Sequence, residues 1–384
     1  MYPDRPDPIG PAGASYRTTR KAVVGAIFCA AILSALTPRA AGLDHRVFDT
    51  DSIMGKLEIE KVALDEDGSA YFLVGFWDPA SPLPPSRCTN RRYSLMRFDP
   101  LAESLTTVHS EFPSVVKLLC DRRHRLWTIR NRSVYQQTGD SAIQVLGSHE
   151  DPHNFSDMVL DRMGCIWVAG EAYLGRIDTA GVITDFSDRV DSIPGVIVGP
   201  LHIATNGDLW AGVAGRQDAP VFALQIHQGE WTLHPLRAGD AQIDRVLSVT
   251  STADGRVWLS VSTKASHGQL LCYGDGEWSA IEIPLLPDAP PGRPKSFPNL
   301  TRAGTLASEG NRVWAVLNPD NGLPTNRLMS YDPADSAWSD SPFIEPGACA
   351  KKLTGGQQQG QIWVAEFRCG YSQSGRLHRF RLDD

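Results

Sequence analysis

A short pattern recurs seven times along the chain: a turn-forming residue, a polar residue, a small or aliphatic residue and an aromatic residue, as in Gly207-Asp208-Leu209-Trp210. The turn position holds glycine five times, histidine once and asparagine once, and these residues tolerate a positive φ angle. Neighbouring side chains on a strand point to opposite faces, so each predicted strand is apolar and buried on both sides. The aromatic residues lie 40 to 56 positions apart and are Tyr71, Trp127, Trp167, Trp210, Trp258, Trp314 and Trp363.

Further strand patterns follow these copies. A third strand follows further along the unit and is rich in leucine and aromatic residues, as at 95–99 and 174–178. A turn rich in glycine or aspartate then leads to a fourth strand, which in three copies begins at Trp231, Trp278 and Trp338. The sequence therefore predicts a repeating unit of four short antiparallel strands.

Seven such units within residues 43–384 predict an all-β fold, a seven-bladed β-propeller with four-stranded blades. The last unit stops after its third strand at 377–380, and an extra extended segment at 45–49 precedes the first unit. This N-terminal segment is expected to supply the missing fourth strand and close the ring, which removes the exposed sheet edges. An open solenoid is the alternative, and the two chain ends argue against it.

The repeat resembles two known kinds of propeller repeat. Its Asp-x-x-Gly-x-Leu-Trp core is similar to the two-component-regulator type, and the stretch 164–186 is also similar to the repeat of streptogramin (virginiamycin B) lyases. The resemblance implies the propeller fold, which hosts many activities. For the lyases it further implies a Mg²⁺ site with paired histidines and a glutamate three residues after the strand tryptophan; only Trp363 and Glu366 have that spacing. Regulator-type propellers usually precede a kinase, and no kinase module fits this sequence.

Residues 1–42 have the composition of a targeting segment. Arg17, Arg20 and Lys21 form a basic patch, and fifteen uncharged residues follow at 22–36 before several small residues. This order is typical of a secretion signal, with cleavage expected after Gly42. An uncleaved signal anchor, with 22–36 as a membrane tether, is the alternative. Either form predicts that the body of the chain is exported, to the periplasm or the medium, or held at the membrane.

Charge excludes one class of partner. The whole chain has a net charge of −7, and removing residues 1–42, which hold five basic and two acidic residues, leaves −10. A nucleic-acid-binding protein needs a basic surface, so we expect no nucleic-acid partner. We also expect a monomer.

Six cysteines lie in the exported body, and an even number in an exported protein suggests disulfides. We expect Cys349 to pair with Cys369 at one end of the last blade, and Cys88 to pair with Cys120 between the first two units. Cys165 and Cys272 are typical of buried thiols. The cysteines do not have the spacing of a zinc site.

The connection between the second and third units contains the most metal-like stretch, with His149 and His153 beside acidic residues. Glu171, in a loop of the third unit, should emerge on the same face, and these groups could hold Mg²⁺ or Ca²⁺. A solvated loop without metal is the alternative, and it is the one we favour. His202 lies on an inner strand, where it faces the channel or plays a structural role. Glu366 completes the set of ligand-face candidates.

These observations lead to two functional hypotheses. The first is an exported, non-catalytic binding module for a small ligand, a glycan or a protein partner, with no cofactor and no catalytic residue. The second is a metal-dependent propeller lyase or hydrolase that uses His153, Glu171 and Glu366. Catalysis requires several titratable groups held within bonding distance, and the sequence offers only this one set, so we favour the binding module.

Overall fold

The computed structural model describes most of the chain after residue 42. The described ranges are 43–49, 57–76, 92–99, 101–130, 132–139, 141–147, 154–193, 197–214, 220–237, 242–263, 268–284, 301–319, 327–341, 348–356, 361–368 and 375–382. The targeting segment, His149 and His153 lie outside these ranges. Among the described residues no helix is both long and apolar enough to cross a membrane.

Strands make up nearly all of the regular structure in these ranges. In chain order, strands β1 to β28 are Leu43–Asp49, Leu57–Leu64, Ala70–Phe76, Arg92–Asp99, Ser104–Phe112, Lys117–Cys120, Leu126–Arg130, Ser133–Thr138, Ser141–Leu146, Phe155–Leu160, Ile166–Gly170, Tyr173–Ile177, Ile183–Asp185, Ile197–Ile203, Leu209–Ala214, Phe222–His227, Glu230–Pro235, Ile243–Ser251, Val257–Thr263, Gly268–Gly274, Glu277–Ile281, Thr301–Glu309, Arg312–Pro319, Arg327–Asp332, Ala337–Asp340, Ala348–Gly356, Gln361–Arg368 and Gly375–Leu382. One short helix, α1, spans Ser187–Asp191 between the third and fourth units.

The described strands group into seven four-stranded sheets. Six of them follow chain order, namely β2–β5, β6–β9, β10–β13, β14–β17, β18–β21 and β22–β25, and the seventh has the order β1-β28-β27-β26. Within the six, consecutive strands pair antiparallel, as β10 does with β11 and β11 with β12. The prediction of an all-β propeller with four-stranded blades is therefore confirmed.

The hydrophobic core lies between adjacent blades. One cluster joins Trp127 and Ile129 of β7 to Met158 of β10 and Ile166 of β11, and another joins Trp210 of β15 to strands of the next blade. Both faces of each second strand are covered, because β7 has four fully buried residues and β19 has seven. This packing explains why the strands lack a polar face.

The turn between the first and second strand of a blade has the same hydrogen bonds in successive blades. In the third blade Gly164 N donates to Asp161 O at 3.0 Å, and Asp161 N donates to Cys165 O at 2.8 Å. Gly164 has φ +79°, and His124, at the same position in the second blade, has φ +59°. The positive φ angle is therefore the reason that glycine and histidine hold this position in these blades. In the sixth blade the positive φ angle, +54°, falls on Gly310 and not on the predicted Asn311.

The aspartate of this turn also binds the tryptophan that follows six residues later. Asp121 accepts a hydrogen bond from Trp127 Nε1 at 2.9 Å, and Asp161 accepts one from Trp167 Nε1 at 3.1 Å. In the fifth blade a threonine hydroxyl takes this role, because Thr252 Oγ1 accepts from Trp258 Nε1 at 3.1 Å. The repeat motif is thus a closed unit in which the turn satisfies the buried indole.

The fourth blade lacks this bond. The acceptor position holds Ala204, and the buried Nε1 of Trp210 has no hydrogen-bond partner among the described residues. The indole instead stacks on His234 with ring centroids 5.3 Å apart and lies against Tyr273 of the next blade at 5.2 Å. Burial lowers the pKa of His234, so this imidazole is neutral at pH 7.

Three described cysteines, Cys120, Cys165 and Cys272, are buried free thiols. For Cys165 and Cys272 this confirms the prediction. The predicted bond between Cys88 and Cys120 is wrong, because Cys120 ends the buried inner strand β6 and its thiol lies beside the Asp121 carbonyl, 3.8 Å away. Cys88, Cys369 and the side chain of Cys349 lie outside the described residues, so the Cys349–Cys369 pair stays a prediction.

Candidate functional site

A cavity of about 450 Å³ lies where the first strands of successive blades meet, which identifies it as the central channel. Residues of β2, β6, β10, β14, β18 and β22 line it, and most of these residues are aliphatic. Nine polar side chains lie among these aliphatic residues: Glu66, Lys117, Asp157, Arg162, His202, Thr205, Ser248, Thr250 and Thr305. A partly open cavity of this size that combines apolar and polar groups is suited to a small molecule.

An ion pair on the channel wall joins the second and third blades. Lys117 Nζ lies 2.5 Å from Asp157 Oδ1, and the aspartate side chain is only 11% exposed. Asp157 also accepts hydrogen bonds from Met158 N at 2.9 Å and from Leu201 N, in the fourth blade, at 2.8 Å. These three donors hold the carboxylate in place and compensate for its burial.

His202 lies on the channel wall in the fourth blade. Its Nε2 is 2.9 Å from Ser251 Oγ, and burial lowers the pKa of the imidazole to about 4, with a further lowering by Lys117 and an opposing effect of Asp157. His202 is therefore neutral at pH 7. Ser251 is fully buried and also accepts a bond from Thr205 N at 3.2 Å, so the pair links two blades and does not present a nucleophile to the channel.

The other described ligand-face candidate, Glu171, is exposed between β11 and β12 of the third blade. Its amide donates to Asn154 O at 3.2 Å, and Asn154 Nδ2 donates to its carboxylate at 3.1 Å. Glu171 lies at the face where the inner strands begin, whereas His202 is the sixth residue of β14 and lies toward the opposite face. His149, His153 and the side chain of Glu366 lie outside the described residues.

Sequence reasoning missed Lys117 and Asp157. The signal was present, because each is a charged residue on an inner strand whose other residues are mainly apolar, in Lys117–Cys120 and Phe155–Leu160. A buried charge on such a strand requires a partner across the blade boundary. A search for opposite charges at the start of adjacent inner strands would have found this pair.

A second polar cluster lies at the turns of the first two blades. Ligand atoms of Asp65, Asp67 and His124 lie within 4.8 Å of one another, a spacing that a metal ion could bridge. His124 Nδ1 contacts both oxygens of the buried Asp65 at 2.8 and 2.9 Å, and this contact raises the pKa of His124. Asp67 pairs with Arg97 at 3.2 Å. His124 and Arg97 thus each bond one of these carboxylates, and the cluster joins two blades.

No protein-family model and no curated protein matches this chain. Similar solved structures include YCF48 bound to D1 peptide, with 13% identity, a TM-score of 0.55, and coverage of 88% of this chain and 97% of that one. The extracellular domain assigned to a hybrid two-component system of B. thetaiotaomicron has 13% identity and a TM-score of 0.54 over 88% of this chain. The β-propeller domain of the Trilobed protease from Pyrococcus furiosus has 9% identity and a TM-score of 0.53, with 86% and 98% coverage.

These likenesses define the class of the protein as a β-propeller and extend no further than the fold. The chain spans 42% of the length of the B. thetaiotaomicron chain that it matches. The propeller fold predicted from the sequence is confirmed by these neighbours, one of which is an extracellular domain of a two-component system.

Proposed function

We propose that this protein is an exported, non-catalytic propeller that binds a small polar ligand in its central channel. The observation that carries the proposal is the cavity of about 450 Å³ whose aliphatic residues surround the Lys117–Asp157 pair and His202. An apolar cavity with a few fixed polar groups gives both burial and orientation to a small molecule.

The ligand reaches the channel from the face on which the inner strands begin. Lys117 is the first residue of β6 and Asp157 is the third of β10, so the ion pair lies toward that face. Glu171, between β11 and β12, lies at the same face and would stand at the mouth of the site.

We also propose that the ring has seven blades and that β1 closes it. Support comes from the seventh sheet, in which β1 lies next to β28, and from β2, which contacts both β6 and β26. Two arginines add to it, because Arg46 of β1 and Arg379 of β28 lie 3.6 and 3.7 Å from the carboxylate of Glu103 in the first blade. Such a closure joins the two chain ends within one blade.

Export is part of the proposal. The basic patch and the uncharged run before residue 43 have the order of a secretion signal, and two structural neighbours are extracellular domains. A channel that opens to the periplasm or the medium would meet small molecules from outside the cytoplasm.

A thermal-shift screen of small polar metabolites against the exported domain tests the proposal. The channel variant K117Q/D157N removes the ion pair and leaves no unpaired charge, and R327Q/D340N makes the same change at an exposed pair with a spacing of 3.3 Å in the sixth blade. A channel ligand should raise the melting temperature of the wild type and of the control, and bind the channel variant at least tenfold more weakly.

Two results would contradict the proposal. Equal binding by the channel variant would place the ligand site elsewhere on the propeller. Chemical conversion of the bound metabolite by the wild type, measured by mass spectrometry, would show that the protein is an enzyme.

A further inference from the structure

Asp157 and Lys117 differ in how many of their possible hydrogen bonds are already made within the protein. Asp157 accepts from Met158 N, Leu201 N and Lys117 Nζ, and two of these donors belong to the backbone and cannot leave. The carboxylate would thus remain satisfied if the ammonium turned partly toward another acceptor. Asp157 is a fixed anchor of the channel wall.

Lys117 has N–H donors that its ion pair with Asp157 does not use. An ammonium group has three N–H donors, and within the described part of the chain its one ion-pair partner is Asp157. The side chain is 37% exposed and lines the cavity, so the remaining donors are directed to the channel or its mouth. A ligand oxygen would therefore meet a cation whose position Asp157 already fixes.

The neutral groups across the cavity are also suited to oxygen atoms. Ser248 Oγ accepts a bond from Leu306 N at 3.1 Å, which leaves its hydroxyl hydrogen to donate. Thr305 lines the same wall of the cavity. Thr250, by contrast, donates to Ser308 Oγ at 3.1 Å and has no hydrogen left for a ligand. The hydrogen-bonding groups that the channel leaves for a ligand are therefore largely donors.

Charge limits the ligand further. Glu66 is paired with Arg122 at 3.0 Å. The guanidinium of Arg162 donates to Thr205 O and keeps further N–H donors. Arg162 follows the end of β10, however, whereas Lys117 begins β6, so the two cations lie at opposite ends of the cavity. The body of the chain has a net charge of −10, which disfavours polyanions. A small molecule at the end of the cavity where β6 begins therefore meets one cation, Lys117, which matches a single negative charge.

From this inventory we propose that the channel ligand is a small monocarboxylate that carries a hydroxyl or oxo group. The carboxylate binds Lys117 at the end of the channel where β6 begins, and the second oxygen group accepts from Ser248 or Thr305 across the cavity. This inference rests on the proposed function, because it names the class of ligand that the channel site takes.

Matched probes test the charge requirement. Glycolate, lactate and pyruvate are compared with the neutral glycolamide, lactamide, glycerol and glucose by titration calorimetry of the exported domain. The acids should bind the wild type and R327Q, a control with the same loss of positive charge at the outer edge of the sixth blade. K117Q should bind the acids at least tenfold more weakly, and S248A should weaken them by a smaller factor.

The outcomes separate the two claims. If neutral probes bind in a manner that depends on Lys117 and Asp157 while the acids do not bind, the carboxylate inference is wrong and the channel site stands. Equal binding of the acids to K117Q and the wild type, or no binding of any acid, would also overturn the inference. Circular dichroism of K117Q and of K117Q/D157N shows that a loss of binding is not a loss of fold.

Discussion

The hydrogen bond between the turn aspartate and the strand tryptophan should be a main local source of blade stability. Asp121 is 2% exposed and accepts four hydrogen bonds, from Arg123 N, Arg125 N, Arg125 Nε and Trp127 Nε1, at 2.7 to 3.0 Å. The substitution D121A removes all of them and leaves the indole N–H of the buried Trp127 without its acceptor.

The expected cost follows from the burial of each donor. A buried donor without a partner costs about 1 to 3 kcal/mol, and each partly solvated turn bond contributes about 0.5 to 1.5 kcal/mol. D121A should therefore lower the free energy of unfolding by about 2.5 to 7.5 kcal/mol. This is a large share of the roughly 5 to 15 kcal/mol that stabilises a folded protein.

A matched control separates the indole bond from the turn. Asp178 closes a turn of the same hydrogen-bond type and accepts from Ala180 N and Val182 N, both at 2.8 Å, but no indole bonds to it. D178A should therefore cost about 2 kcal/mol less than D121A. The reverse change is A204T, which offers Trp210 the acceptor that Thr252 gives Trp258 and should stabilise the fourth blade by up to about 1 kcal/mol.

Urea unfolding followed by tryptophan fluorescence measures these differences, with the free energy taken from the midpoint and the slope. Equal costs for D121A and D178A would refute the reasoning, because the buried indole would then gain nothing from its acceptor. A loss of stability in A204T would show that the acceptor site of the fourth blade cannot hold a hydroxyl group.

Two further predictions concern the channel and the ring. Because the pKa of His202 is about 4 in the folded chain and about 6.5 in an unfolded one, the unfolded state binds more protons between these pH values. The free energy of unfolding should fall by roughly 2 to 3 kcal/mol as the pH drops from 6.5 to 4. Urea titrations at several pH values should show that H202Q reduces this dependence on pH. An unchanged dependence would mean that other groups cause it. Deletion of residues 43–49 should expose the edge of β28 and lower the melting temperature sharply, and an unchanged melting temperature would contradict closure by β1.

The repeat was predictable because its physical causes are local. The positive φ angle at Gly164 and the two buried faces of the strand around Trp167 restrict which residue types can stand there, and this restriction is visible in the sequence. The partner of each buried polar group is not local. Lys117 and Asp157 are forty residues apart and meet only because adjacent inner strands converge on the channel, so the sequence shows two charges and not a pair. Cys120 was misjudged for the same reason, since its position at the end of a buried inner strand depends on packing between blades.

The turn hydrogen bonds also bear on how such a chain can evolve. A blade whose buried indole is satisfied by its own aspartate, as with Asp161 and Trp167, needs nothing from its neighbours for that bond and can be duplicated or diverge alone. The first two blades have an additional bond between them, because the buried Asp65 of one is held by His124 of the other. A change at either residue leaves a buried carboxylate or an unbound imidazole in the other blade. Substitutions in these two repeats therefore depend on each other, and the two blades evolve as one unit.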